Sequence, residues 1–364
     1  MKMMQFTRTF MQRNKKQFVG QSFSRLKSSD FFSKSIVHLK QRKLLHISGP
    51  DASDFLQGLM TNDIRHLEDG SKSIYSLFLN IKGRILFDSI IYKCQEKDAF
   101  YIECDSTLFN NFIKHLKMYK LKRKVNILPM NNDMKVWCIY ENKVDDQVSY
   151  NNIDNPKISE ENISACSISN NTNGIIDNIA VYQDPRLFEL GYRVLTKSVV
   201  DSDDINKYLD LNIKLHEIID YISFRYKLGV PEGVRNFPIG VSFPLESNCD
   251  YLHGVSFQKG CYIGQELTAR TYHTGVVRKR IMPLILDNGC TEKFQSYENI
   301  TNESGQIIGK IIDHEGNYGL GLMRISEASA SSIINISNCT MKLMKPQWWP
   351  QDKPKIESSL KNKN

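Results

Sequence analysis

The chain lacks every short motif by which compact catalytic and metal sites are commonly read. Its eight cysteines (94, 104, 138, 166, 249, 261, 290 and 339) form no Cys-x-x-Cys pair, and there is no His-Glu-x-x-His, no Gly-x-Ser-x-Gly and no glycine-rich phosphate loop. These absences argue against a zincin, a nucleophile-elbow hydrolase and a P-loop nucleotide enzyme. Cys249, His253 and Cys261 have the right chemistry for metal, but Cys-x3-His-x7-Cys matches no common zinc spacing, and a cluster usually takes four closely spaced thiolates. No stable self-contained metal site is expected. No run of eighteen apolar residues occurs either, and the longest apolar stretch, around Ile85–Ile91, is strand-sized, so membrane insertion is not expected.

Acidic residues are missing where basic ones gather. Residues 1–29 carry Lys2, Arg8, Arg13, Lys15, Lys16, Arg25 and Lys27, with no Asp or Glu before Asp30. With abundant Ser, Thr, Gln and Phe, that is the composition of a mitochondrial presequence, which points to the mitochondrial matrix. In that reducing compartment most cysteines should be free thiols. The formal charge of +8 falls to −2 once those seven cations and the net +3 of the segment from Lys345 onward are set aside. The body therefore has no cationic excess to neutralise a phosphate backbone, and nucleic acid is not expected as a partner.

At 364 residues, two or three domains are expected. Leu44–Ile47, Ile74–Leu79, Ile85–Tyr92 and Ala99–Cys104 read as strands, the second and third joined through the Gly83 turn. Ser48-Gly49-Pro50-Asp51 opens a helix whose apolar stripe is Phe55, Leu56, Leu59 and Met60. Leu108, Phe112, Ile113, Leu116 and Tyr119 recur at helical spacing before a strand at Val125–Leu128. That order predicts an antiparallel sheet with helices on one face. With 11 Asn in residues 131–180, the stretch 141–178 reads as a surface insertion. Strands resume at Ile179–Tyr182 and Gly191–Leu195, and Leu215–Ile222 predicts a helix ending by Gly229 and Pro231. Glycine-spaced short strands after Arg280 predict a small barrel or sandwich, against which Trp348-Trp349-Pro350 would seal.

The segment most suited to chemistry runs Lys259-Gly260-Cys261-Tyr262-Ile263-Gly264-Gln265-Glu266, with Arg270 one turn on. Lys259, Arg270 and the amides of a helix starting near Ile263 would all favour Cys261 as thiolate, and Glu266 with Arg270 has the spacing of a helical ion pair. The bland alternative is a packed cysteine, the ordinary fate of a free thiol. Asp184-Pro185-Arg186 and Glu189 read better as a turn with its salt bridge than as a ligand site.

That motif resembles the signature of the folate-binding YgfZ-type relatives of the glycine-cleavage T-protein (aminomethyltransferase). The likeness extends through Leu44–Asp51, Leu56–Asp63, Leu79–Ile85, Asp184–Arg186 with Leu190–Arg193, Arg225 with Gly229–Pro231, and Gly305–Lys310. Thr271–Arg280 is most similar to the mitochondrial members, assembly factors that act late in making 4Fe-4S clusters with A-type scaffold proteins. The resemblance implies an α+β fold in three parts: two α+β portions around a central hole and a C-terminal β-barrel. The corresponding division is a presequence (1–29), an N-terminal folate-binding-like portion (36–140), the Asn-rich insertion (141–178), a second portion with the Lys-Gly-Cys motif (179–275), the barrel (276–345) and a tail (346–364).

The resemblance also implies tetrahydrofolate as a candidate cofactor, near Asn80, Asp88 and Arg225, and Cys261 as a transient or shared iron ligand. Where T-proteins carry consecutive acids, this chain has Phe87-Asp88, which puts the acid-base step of aminomethyl transfer in doubt. Two rival functions follow: a folate-dependent one-carbon transferase using Asp88, and an adaptor that docks partners through residues 259–280, including His273 and Arg278.

Overall fold

A computed structural model describes residues 34–130, 133–141, 178–209, 214–287, 292–331 and 333–350. The presequence, nearly all of the Asn-rich insertion and the last residues of the tail lie outside them.

The first sheet follows the sequence closely. Strands β2 (Arg42–Ser48), β3 (Ser73–Leu79), β4 (Ile85–Lys93), β5 (Ala99–Asp105) and β6 (Asn126–Pro129) form an antiparallel sheet in the order β3-β4-β5-β2-β6. Helix α1 (Ala52–Gln57) and helix α2 (Phe109–Lys120) cover one face. Phe55, Leu56, Phe109, Phe112 and Leu116 pack there on Phe78, Phe87 and Ile91. Helix α1 stops at Gln57, so Leu59 and Met60 are buried from the turn that follows rather than from the helix.

The second sheet crosses the division at residue 140. Strand β1 (Lys34–His38) pairs antiparallel with β7 (Met134–Glu141), and both join β8 (Ile179–Gln183), β9 (Tyr192–Lys197) and the short β10 (Lys214–Leu215) in the order β10-β1-β7-β9-β8. Segment 36–140 thus lends its two end strands to the other sheet. The strand at 134–141 escaped the compositional reading because the asparagines around it masked the Val136–Tyr140 run, whose residues are all buried.

Tyr75, Leu77 and Leu79 of β3 meet Val136, Cys138 and Tyr140 of β7 in one core, so the two sheets face each other. Helix α3 (Ser202–Leu209) covers the outer face of the second sheet through Ile205 and Leu209. Helix α4 (Ile218–Leu228) is capped by Glu217 and Asp220, and Ile222 and Tyr226 seat it on Ile281, Ile312 and Leu320 of the C-terminal part. Leu215, expected in that helix, lies in β10.

After helix α5 (Gln265–Thr274) the chain closes a six-stranded barrel from β11 (Lys279–Leu286), β12 (Asn299–Asn302), β13 (Ile307–Glu315), β14 (Tyr318–Arg324), β15 (Ile334–Ile336) and β16 (Cys339–Leu343), with helix α6 (Ile325–Ala330) after β14. Closure leaves no free edge among its strands. Trp349 is buried in the barrel core and meets Tyr251 edge-on at 6.0 Å, while Trp348 Nε1 donates to Leu228 O at 2.8 Å, so the tryptophan pair does seal the barrel against the rest of the chain. Among the described residues, no helix is long and apolar enough to cross a membrane.

Candidate functional site around Cys261

The loop of Cys261 is stitched to the turn that follows α1. Ser256 N donates to Thr61 O (3.0 Å), Ile263 N donates to Gly58 O (3.2 Å), Thr61 Oγ1 donates to Gly254 O (2.6 Å) and Asn62 Nδ2 donates to His253 O (2.8 Å). At the centre of the seam is Lys259, 6% exposed, whose Nζ donates to the carbonyls of Gln57, Met60 and Asn62, each at 2.7 Å. A helix end leaves carbonyls without partners, and one ammonium has three donors to give. Lys259 also lies 5.1 Å from the centre of the Tyr262 ring. Burial pulls its pKa down to about 8, with Asp63 acting the other way. Lys259 therefore pins the loop backbone, and all three of its donor bonds go to carbonyls.

Gly264 fixes the other side of the loop. It takes φ +79°, and a Cβ built on it would lie 2.3 Å from Asn80 O and 2.8 Å from Leu79 Cβ. Gly83, at φ +73°, returns the contact: its Cβ would be 3.1 Å from Gly264 O and 3.3 Å from Leu267 Cβ. The two glycines let the β3–β4 turn and the entry to α5 approach backbone to backbone, where any side chain would separate them. Helix α5 begins at Gln265, two residues later than expected, so Cys261 precedes the N-cap Gly264 by three positions and lies outside the first helical turn. Gln265 Nε2 reaches back to Gly260 O at 3.5 Å.

Between these anchors the sulfur is open. Cys94, Cys104, Cys138, Cys249 and Cys261 are free thiols, and among these five only Cys261 is exposed. Nothing lies within 4 Å of a Cβ placed on Gly260. Tyr262 is buried in the core between the sheets and Ile263 packs toward the α1–α2 core, so the residues after the cysteine hold the loop while the cysteine faces outward. Glu266 and Arg270 are both exposed, and among the described residues no ion pair joins them, so the pair expected from their spacing is not made. Cys249 is fully buried and its Sγ contacts Ser247 O at 3.7 Å, whereas His253 is exposed. Among the described residues no three His, Cys, Asp or Glu side chains converge as a metal site.

Of the folate candidates, Asn80 stands in the turn that packs on Gly264, and Asp88 and Arg225 are buried; all three are engaged internally. Asn80 Oδ1 accepts from Lys82 N (2.9 Å) and Arg84 N (3.0 Å), which shapes the hairpin turn. Asp88, 3% exposed, pairs with Arg42 at 3.3 Å; burial pushes its carboxyl up and Arg42 pulls it down. Arg225 Nη1 donates to Val230 O (2.8 Å) and Asn236 Oδ1 (3.3 Å), with Glu232 at 3.8 Å. Asp88 lies opposite Leu77, three residues before Asn80, which separates it from the turn by roughly 10 Å of strand. Asn80, Asp88 and Arg225 are thus each engaged by neighbours within this chain. Phe87 points to the opposite face, against Phe112 and His115 at 4.8 and 5.5 Å.

Asp88 and Arg225 belong instead to an ionic cluster between the sheets. Arg42 bonds Glu103 (2.7 Å), Arg186 bonds Asp184 (2.7 Å) and Glu232 (2.8 Å), and Arg193 bonds Glu232 and reaches Asp184 (3.4 Å) and Glu103 (3.9 Å). Burial opposes the charge on Glu232, yet Arg193, Arg186, Arg225 and Arg42 hold its carboxyl well below 4.5. The Asp184-Pro185-Arg186 segment is the salt-bridged turn its sequence suggested, with Arg186 N donating to Asp184 Oδ1 at 3.1 Å, and Glu189 is exposed. The motif reading missed a cleft of about 430 Å³ beside the loop, lined by Asn62, His66, Tyr75, His253, Phe257 and Tyr272. Phe257 and Tyr272 stack over one rim, 3.5 Å between ring centres and 9° between planes. Aromatic residues at 257 and 272 were the available signal, but they flank the cysteine motif from either side with no regular spacing.

Comparison with known proteins agrees with this construction. Residues 34–139 match the GCVT N-terminal domain, and residues 278–351 match the CAF17 C-terminal beta-barrel domain. The glycine cleavage system aminomethyltransferase T from Bartonella henselae superposes with a TM-score of 0.62 over 87% of this chain and 86% of that one, at 11% identity, a likeness of fold alone. The fold is thus the α+β arrangement of the aminomethyltransferase T-proteins, with a closed six-stranded barrel at its C-terminal end.

The particular family is set by closer relatives. The chain is 36% identical over 326 residues to the human protein named iron-sulfur cluster assembly factor IBA57, mitochondrial, covering 86% of this chain and 84% of that protein. The mouse protein of that name is 35% identical over 328 residues, covering 86% of this chain and 84% of its own length. The Dictyostelium discoideum homolog is 34% identical over 288 residues, covering 72% and 65%. The chain belongs to the IBA57 family.

Proposed function

We propose that this chain is a mitochondrial iron-sulfur cluster assembly factor that acts in the matrix, late in the maturation of 4Fe-4S proteins, by lending Cys261 as one ligand while an A-type scaffold protein supplies the others. The observation that carries the proposal is the contrast within one loop: Cys261 is exposed, while Lys259 and Tyr262 beside it are buried and fixed. A thiolate held at the surface on a pinned backbone can enter the coordination shell of iron carried by another protein without a large rearrangement. Ligation needs the deprotonated sulfur, so capture of iron releases the thiol proton to solvent. The names of the relatives support iron-sulfur cluster assembly and a mitochondrial location.

In cells depleted of the protein, Cys261→Ser at normal expression is expected to leave 4Fe-4S enzyme activities unrestored. Full restoration would remove Cys261 from the mechanism.

A further inference from the structure

We propose that the C-terminal end of helix α2 and the turn after it form a surface that rests on an anionic phospholipid membrane. Residues 114–124 hold Lys114, Lys117, Lys120, Lys122, Arg123 and Lys124, and no Asp or Glu occurs between Asp105 and Asp133. The body of the chain, apart from its basic ends, nets −2 with these six cations included, so the rest of it carries −8. The positive charge is a local concentration on an otherwise acidic body.

The helix presents this charge in one direction. Phe109, Phe112 and Leu116 hold one face of α2 on the first sheet. Lys114, Lys117 and Met118 face away from it and are exposed, Met118 by 60%. Leu121, Lys122, Arg123 and Lys124 follow in the turn, all exposed, Leu121 by 84%. Among the described residues none of the six cations enters an ion pair. Asp51 meets the segment through its backbone, its Oδ2 accepting from Lys124 N at 2.6 Å, and the Arg123 guanidinium stands 5.9 Å over the Phe55 ring.

Folding accounts for only part of this. Cations in the last turn of a helix offset its dipole, which explains Lys117 and Lys120. Lys122, Arg123 and Lys124 lie beyond the helix. Leu121 ends it at φ +49° and ψ −122°, a backbone region that glycine enters freely and leucine only under strain. In water a leucine here is unfavourable twice over, strained and exposed; against lipid the exposure becomes a gain.

The combination selects the partner. Lysines and an arginine neutralise headgroup phosphates while Met118 and Leu121 reach the acyl boundary, the arrangement of a surface that lies on a membrane. Single-stranded nucleic acid would call for exposed rings to stack on, and Tyr119, the aromatic residue of the segment, packs toward the sheet core, 5.0 Å from His115. The contact is peripheral, since no described helix is long and apolar enough to cross a bilayer. It is also distinct from the loop of Cys261. A Cβ on Gly49, before α1, would lie 2.3 Å from Lys124 O, whereas the loop of Cys261 is held at Gly58, after α1.

The test uses the chain as recovered from mitochondria after import, because segment 1–29 is itself basic. Binding is read by flotation with vesicles of phosphatidylcholine alone, and of phosphatidylcholine mixed with an equal amount of phosphatidylglycerol, at low and high salt. The wild type is expected to float with the anionic vesicles only, and less as salt rises. Lys117→Gln, Lys122→Gln and Lys124→Gln combined should weaken that binding about a hundredfold, at roughly fivefold per lysine. Leu121→Gly should weaken it about tenfold, with a melting temperature no lower than that of the wild type. A wild-type chain that stays off anionic vesicles would overturn the surface, as would either variant binding them like the wild type. Tighter binding to RNA than to vesicles, indifferent to Leu121→Gly, would overturn it too and assign the cations to nucleic acid.

Discussion

The ionic cluster between the sheets and the loop of Cys261 both gather groups able to do chemistry, and they are built in opposite ways. In the cluster four arginines meet four carboxylates, every one of them buried, and strands from both sheets are tied together through Glu103, Asp184 and Glu232. Charge there is balanced by charge, four guanidinium groups against four carboxylates. In the loop the backbone is pinned by Lys259 and packed closely at Gly264 while the Cys261 sulfur is left open.

Breaking the cluster should have the largest effect on stability. Glu232→Gln leaves Arg193 and Arg186 short of their partner and is expected to cost about 3–5 kcal/mol in denaturant unfolding, or to prevent folding. The pH dependence follows from the same group. Its folded pKa lies below its unfolded one, so the unfolded state binds more protons, and the stabilisation is fully present above about 4.5 and lost as pH falls through the folded value. Asp184, whose burial is outweighed by Arg186 and Arg193, acts in the same sense, and Asp88, raised by burial, acts in the opposite one. Unfolding midpoints measured as pH is lowered should fall steeply for the wild type and less steeply for Glu232→Gln; equal slopes would place the acid sensitivity elsewhere.

Next in size is the seam of the loop. Gly264→Ala forces a side chain into a left-handed conformation and against Asn80 O, and a loss of about 3 kcal/mol by thermal unfolding is expected, together with weaker cluster retention. Lys259→Met strips three carbonyls of their donor and should cost about 2 kcal/mol while leaving Cys261 open to alkylating reagents. Lys259→Arg is not expected to restore the difference, because a planar fork does not match three carbonyls converging on one nitrogen. Cys261→Ser sits at the far end, with stability within about 0.5 kcal/mol of wild type.

The elements legible in the sequence were those whose pattern is local. Gly83 in its turn, the α2 stripe of Phe112 and Leu116, and the glycine-spaced barrel strands β13 and β14 all announce themselves within a dozen residues. So did the salt-bridged Asp184–Arg186 turn. What stayed hidden depends on partners far along the chain. Strand β1 is defined by β7 about a hundred residues later, and Lys259 meets carbonyls 197 to 202 residues away. Charge alone suggested that Lys259 serves the sulfur, whereas its ammonium donates to three backbone carbonyls. The partners that Asn80, Asp88 and Arg225 take, the hairpin amides, Arg42 and Val230 O, were likewise not visible in the sequence.

The central claim is that Cys261 acts as a shared ligand and is dispensable for the fold. It is tested most directly by anaerobic mixing of the full chain with an A-type scaffold protein carrying iron and sulfide, with cluster absorbance followed in the isolated complex. The wild type is expected to retain absorbance in the complex, and Cys261→Ser to lose it at an unchanged melting temperature. Equal absorbance in both complexes would contradict the account.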